Sequence, residues 1–168
     1  RFWLPEAAIA AETTRPYESW LDAGLIEMTE GSVTDYDVIE DAVRATCQEH
    51  RVIECAFDKR FAQQLAHHLD ADGITMIDQP QGFQLSEATT RLQELVAGGR
   101  LRHDHDPVLT WMAANLVVRI GRYQEIRPDK QAAPDKIDGI VALIMALARA
   151  IAQPEAASVY EERGVLTI

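Results

Sequence analysis

The residues VIECAFD run straight into KRFAQQLAHHLDADG and then into ITMIDQP, so a short apolar strand, an amphipathic helix stopped by Gly73 and a second strand follow one another. A helix between two such runs returns the chain to the same edge of a sheet, which favours parallel strands with helices packed over them. The alternation recurs along the chain. LIEMTEG reads as a strand closing at Gly31, and TDYDVIEDAVRATCQEH spaces Tyr36, Ile39, Val43 and Cys47 at helical intervals behind Thr34 or Asp35 as N-cap. SEATTRLQELVAGG opens on a Ser-x-x-Thr cap, turns Leu92, Leu95 and Val96 inward and stops at Gly98–Gly99. The expectation is an α/β layered fold with a largely parallel centre.

The remaining segments fill in that frame. RFWLPEAAIAAETTRPY has no clean period and reads as an arm or loop, followed by a short helix near YESWLDAG that Gly24 ends. RLRHDH is expected as a short strand, PVLTWMAANL as a helix with Pro107 in its first turn, and VVRIGRYQEIRPD as a hairpin turning near Gly121. PDKIDGIVALIMALARAIAQ is a helix apolar on every side beyond Asp138, with Asp135 as its cap and Asp138 at its third position. Its apolar run is broken by Arg149 and falls short of the ~20 residues that span a bilayer, so a core helix is expected, not a membrane segment. With no repeat and no dividing linker, residues 1–168 are expected to form a single domain.

Charge and motifs narrow the chemistry. A formal net charge of −11 and a pI near 4.8 argue against broad attraction to phosphate backbones, so any nucleic-acid contact must be local. Cys47 and Cys55 have neither zinc-knuckle nor redox spacing and read as free thiols of a reducing, cytoplasmic setting. The chain carries no GxGxxG, Walker A loop, GxSxG, HExxH or CxxC, which disfavours a nucleotide-binding motor, a serine hydrolase and a zincin. It opens on Arg1-Phe2-Trp3 without an initiator Met or a leader pattern and reads as a piece of something longer.

Two carboxylates stand out. Asp58 ends the run VIECAFD, where loops of an α/β sheet gather ligands, and it is also placed to cap the helix from Lys59. Asp138 lies at the mouth of the apolar helix, where it meets the positive end of the helix dipole whether or not it has a further task. The pattern leaves a purely stabilising role open for both. Brought together, they would form a hard-oxygen site suited to Mg²⁺ or Mn²⁺, and two-metal phosphoryl chemistry needs little more than clustered carboxylates. On a strand, His103 and His105 would share a face, but two histidines do not close a transition-metal site, and a solvated strand end or loop is the simpler reading.

The segments FWLPE, GLIEMTEGSVTDYDVI, AFDKRFAQQLAHHL, GFQLSEATTRLQELVAGGRLRHDHDPVLTWMAANLVVR and PDKIDGIVALIMALARA together resemble the large subunit of tailed-phage terminases, in the nuclease part of the HK97-like group. The resemblance implies an RNase H-like nuclease fold, a mixed sheet flanked by helices, that cuts double-stranded concatemeric DNA during packaging in the host cytoplasm. It implies that Asp58, after the AFD strand, and Asp138, in the KIDGIVAL helix, are catalytic and hold Mg²⁺ or Mn²⁺, two ions in the complete domain. It places Arg102 and His103 near DNA or metal and leaves His105 and Asp106 particular to this sequence. The family's first metal-binding Asp belongs to an opening strand upstream of FWLPE, so an incomplete sheet lacking its first strand is expected, with activity weak or absent in the piece alone. That edge could be covered by homo-oligomerisation. The implied partners are an ATPase domain upstream, the small terminase subunit and the portal protein. The rival expectation is a catalytically inactive assembly module that docks on the portal or the small subunit.

Overall fold

The structure, a computed structural model, describes residues 1–153. The order is β1 (Trp3–Pro5), α1 (Glu6–Ala10), α2 (Tyr17–Asp22), β2 (Glu27–Thr29), α3 (Tyr36–Glu49), β3 (Cys55–Phe57), α4 (Lys59–Ala71) and β4 (Met76–Asp78). After a short 3₁₀ turn, Phe83–Leu85, come α5 (Ser86–Ala97), α6 (Pro107–Ala114), β5 (Val118–Ile120), β6 (Ile126–Pro128) and α7 (Asp138–Ala152). Residues 154–168 of the expected single domain lie outside the described residues.

The alternation of strand and helix is present, and the two crossover pairs are parallel. β1 lies beside β2 with Trp3 opposite Glu27, and β3 lies beside β4 with Cys55 opposite Met76 and Phe57 opposite Asp78. β5 and β6 form the antiparallel hairpin, Ile120 opposite Ile126. Among the described residues these are three separate two-stranded ladders, where one mixed sheet was expected. Each strand is three residues long and has one neighbour, so most lateral support comes from helices.

Several local expectations are corrected. The N-terminal arm is structured as β1 and α1. Of RVIECAFD only Cys55–Phe57 pairs as strand, and RLRHDH is not a strand, since nothing pairs with it and His105 takes a φ of 60°. Ser86 does not cap α5; its Oγ accepts from the Ile126 N–H at 2.9 Å and fastens β6 to the helix. The helix near Asp138 starts at that residue, with Ile137 in the cap position and no side-chain cap, so Asp138 is the first helical residue instead of the third. Asp135, the expected cap, instead receives the Arg15 guanidinium, Nε to Oδ1 2.7 Å.

The core sits where α2, α5, α6 and α7 meet. Trp20 packs edge-on against Trp111 with ring centroids 5.3 Å apart, and Leu85, Val108 and Ile144 are at most 1% exposed. α7 is not buried on all sides. Ile140, Val141, Ile144 and Met145 face inward, while Asp138, Ala142, Ala146 and Ala150 recur every fourth residue on the solvent side. Gly139 lets this helix start come close to its neighbours: a Cβ there would lie 2.7 Å from Phe2 Cε1 and 2.9 Å from Met112 Sδ. Among the described residues no helix is long and apolar enough to cross a membrane.

Candidate functional site

Asp58 is the first residue past β3, at the carboxyl edge of the β3–β4 ladder. It is both the cap and a held carboxylate. Its Oδ1 accepts from the Arg60 N–H at 3.1 Å, which caps α4, and Arg60 Nη2 reaches Oδ2 at 2.6 Å. The Arg60 side chain holds the Asp58 carboxyl below the usual aspartate range; burial opposes this, and the Arg60 N–H and the Lys130 charge assist it. Across the ladder, Asp78 ends β4 opposite Phe57 and pairs with Lys59 Nζ at 2.9 Å. This second edge carboxylate escaped the sequence reading, although ITMID ends on an acid just as VIECAFD does.

Asp138 opens α7 at the positive end of the helix dipole, with its side chain 60% exposed. Lys130 Nζ lies 2.6 Å from its Oδ1. That lysine is positioned by its neighbour: Asp129, 5% exposed, takes Arg119 Nε at 2.8 Å and the Gln131 N–H at 3.1 Å, while its own N–H donates to the Val117 carbonyl. The Arg119 guanidinium holds the Asp129 carboxyl below its ordinary range. A buried, paired acid thus fixes the turn from which Lys130 extends.

β3 packs against α7, and the pair is clamped at the far end by Arg149 Nε on Glu54 Oε1 at 2.5 Å. From Glu54 to Asp58 a strand advances ~13 Å at ~3.3 Å per residue. From Arg149 back to Asp138 a helix runs ~16 Å at ~1.5 Å per residue. Two nearly equal lengths starting from one clamp carry Asp58 and Asp138 toward the same end of the molecule, and Lys130, bonded to Asp138, is felt electrostatically at Asp58. Both side chains are carboxylates, the hard-oxygen type of donor that divalent ions take. Among the described residues, no three His, Cys, Asp or Glu side chains gather as a metal-binding group.

The histidine stretch is elsewhere. His103 and His105 stand in the exposed loop before α6, ring centroids 4.5 Å apart, with His103 Nδ1 accepting from the His105 N–H at 3.1 Å. Asp106 caps α6 through the Leu109 N–H at 2.7 Å. Arg102 and His103 border an apolar groove of about 630 Å³ between α5, α6, α7 and the hairpin, and neither bonds to Asp58 or Asp138. Cys47 and Cys55 are free and half-buried, and burial pushes the Cys55 thiol up.

Comparison with known proteins places the chain in a family. Residues 6–154 match the family model of the terminase large subunit, endonuclease domain. The chain is 30% identical over 161 residues to Protein YmfN of Escherichia coli K12, covering 90% of this chain and 35% of that protein. It is 31% identical over 155 residues to the terminase large subunit of Enterobacteria phage HK97, covering 89% and 31%. The crystal structure of the HK97 bacteriophage large terminase superposes with a TM-score of 0.80 at 30% identity over 88% of this chain and 32% of that one. The chain therefore spans about a third of the length of the relatives it matches. On the sequence match and the shared structure together, the chain belongs to the family of terminase large subunit endonuclease domains.

Proposed function

We propose that this chain is the metal-dependent nuclease unit of a phage or prophage packaging terminase, with an RNase H-like arrangement, hydrolysing phosphodiester bonds of double-stranded DNA. What supports the reading is that β3, which Asp58 follows, packs against α7, which Asp138 opens, and that Lys130, bonded to Asp138, also contributes its charge at Asp58. Mg²⁺ uses one or two protein carboxylates and completes its shell with water and substrate phosphate, so this donor pair fits Mg²⁺ or Mn²⁺. When bound, the ions would activate water and stabilise the leaving oxygen. Asp58 contributes a carboxylate that stays ionised, because its partner cations hold it so. Asp138 contributes one on a helix start that packing keeps in place through Phe2 and Met112. Lys130 offsets the paired negative charge and is positioned to meet a phosphate. DNA, an upstream ATPase domain, the small subunit and the portal are the partners of this reading, and the host cytoplasm its location.

A second reading is an inactive docking module, favoured by the ion pairing of both carboxylates and the lack, among the described residues, of a third ligand. Plasmid cleavage and Mn²⁺ affinity of the full-length protein separate the two. With Asp58→Ala or Asp138→Ala, cleavage should fall at least ~100-fold and Mn²⁺ binding should weaken. Unchanged cleavage in both variants would sink the assignment. Absence of Mn²⁺ binding in the parent protein would favour the docking module.

A further inference from the structure

A net charge of −11 requires any phosphate-binding surface to be local, and the ion pairing shows where one survives. Among the described residues, Arg51, Arg100, Arg102, Arg122, Arg127 and Lys136 pair with no carboxylate, and all but Arg51 lie between residues 100 and 136. The loop carrying Arg102 and the β5–β6 hairpin border one groove, through Arg102 and His103 on one side and Val118 and Ile126 on the other. Lys136 lies in the lining of the neighbouring cavity that Asp138 also borders.

The hairpin separates two faces: Val118 and Ile126 line the groove, whereas Arg127, opposite Arg119 in the ladder, points to the other side. Its turn is closed by the Gly121 N–H on the Glu125 carbonyl at 2.7 Å, and Gln124 takes a φ of 67°. At the tip Arg122 lies over the Tyr123 ring, 5.9 Å from its centroid, and Tyr123 is 81% exposed. Arg127 lies over the Phe83 ring at 5.3 Å. Of the acids of the segment, Glu125 stays at the tip, its carboxylate accepting from the Tyr123 N–H at 2.7 Å, and Asp129 is buried beneath Arg119. β6 then leads through Pro128 to Lys130, which touches Asp138. From Tyr123 to Lys130 the chain advances seven residues, at most ~23 Å at the rise of extended chain, against an axial rise of ~3.4 Å per phosphate on one strand of a duplex.

We propose that the β5–β6 hairpin grips the sugar–phosphate backbone of duplex DNA, Arg122 and Arg127 on phosphates and Tyr123 against a sugar or base face, and leads the strand toward Asp138. The proposal rests on the nuclease reading for its substrate. Arg122 is exposed, and half-buried Arg127 uses Nη1 on the Pro128 carbonyl at 3.2 Å but pairs with no carboxylate among the described residues, so both keep guanidinium donors for phosphate. The exposed Tyr123 ring beside Arg122 offers a stacking surface that is indifferent to sequence.

The test is duplex binding by the full-length protein without nucleotide, in EDTA, measured by fluorescence anisotropy over a series of salt concentrations. The double variant Arg122→Ala, Arg127→Ala should bind more weakly, with the slope of log K against log salt shallower by about 2. The pair changed to Lys should restore the slope, and Tyr123→Ala should weaken binding while leaving the slope in place. Arg51→Ala, away from this face in the chain, should match the parent. A parental slope in the double Ala variant, failure of the Lys pair to restore it, or no duplex binding by the parent overturns the proposal. Because EDTA suppresses cleavage, the outcomes separate: cleavage in Mn²⁺ with an unaltered slope removes the hairpin and keeps the nuclease, whereas the expected slope change without cleavage does the reverse.

Discussion

Asp58 caps α4 and, in the proposed function, would also hold a metal ion, and the two roles can be separated by substitution. Asn is as good an N-cap as Asp but carries no charge. Asp58→Asn should therefore keep the stability of α4 within a few tenths of a kcal/mol while losing Mn²⁺ affinity, whereas Asp58→Ala should lose the cap as well, about 1 kcal/mol in chemical denaturation. Equal loss of stability in both would mean that the Arg60 ion pair, not the cap, is the main support. As the cap of α4 Asp58 was legible, because an acid between an apolar run and a helix start is placed to accept from the first free N–H groups. The register of Asp138 was not, because Asp135, the obvious cap, is drawn away by Arg15 across 120 residues of sequence, a contact no local pattern contains. Asp78 carried the same strand-end signal as Asp58 and was passed over.

At the scale of the element, helical periodicity located α3, α4, α5 and α7 but misassigned some of their faces. Val96 is 58% exposed, although it was expected inward, Phe61, at helical spacing from Leu65 and Leu69, is 73% exposed, and in α3 the buried positions are Glu40 and Ala42. The reason in α4 is backbone geometry: Ala62, at φ −127° and ψ 24°, breaks the helix after its first turn and rotates Phe61 off the buried face of Leu65 and Leu69. Likewise, spacing in RLRHDH could not reveal that no partner strand lies beside it among the described residues. The tight start of α7 makes a prediction of its own. Gly139→Ala gains up to ~1 kcal/mol of helix propensity but forces a methyl against Phe2 and Met112. Overpacking of this kind costs ~1–3 kcal/mol, so the variant should be net less stable in urea unfolding. A stabilised variant would show that Phe2 and Met112 give way freely.

Across the whole molecule, the strand–helix alternation gave the α/β class, but the division into three ladders depends on pairings between distant segments and was not visible. One link of this long-range kind ties the N-terminal region to the entrance of α7. Glu12 accepts from the Thr14 hydroxyl and N–H, both at 2.7 Å, and pairs with Arg15, which in turn holds Asp135. The Thr14 hydroxyl and N–H lead in holding the Glu12 carboxyl at about 2, from an ordinary 4.5, with Arg15 assisting and burial opposing. A carboxyl depressed on folding stabilises the folded state above its unfolded value, and that contribution is lost as pH falls toward the folded one. Stability should therefore decline between about pH 4.5 and 2 with a share due to Glu12. Glu12→Gln should flatten that part of the pH profile in thermal melts, and an unchanged profile would assign the acid sensitivity to other carboxylates.

The break at Ala62 has a mechanical meaning for the carboxylate edge. Lys59 and Arg60, the cations on Asp78 and Asp58, ride on a single turn that is joined to the body of α4 by one bent residue. The geometry predicts that this turn moves as a short lever about Ala62, taking both cations with it, while the hydrogen-bonded cylinder from Gln63 onward stays wound. Amide exchange faster in Lys59–Ala62 than in Leu65–Leu69 would be its signature. The two carboxylates at the sheet edge would then be unlocked together, by one motion, at a cost well below that of melting a helix.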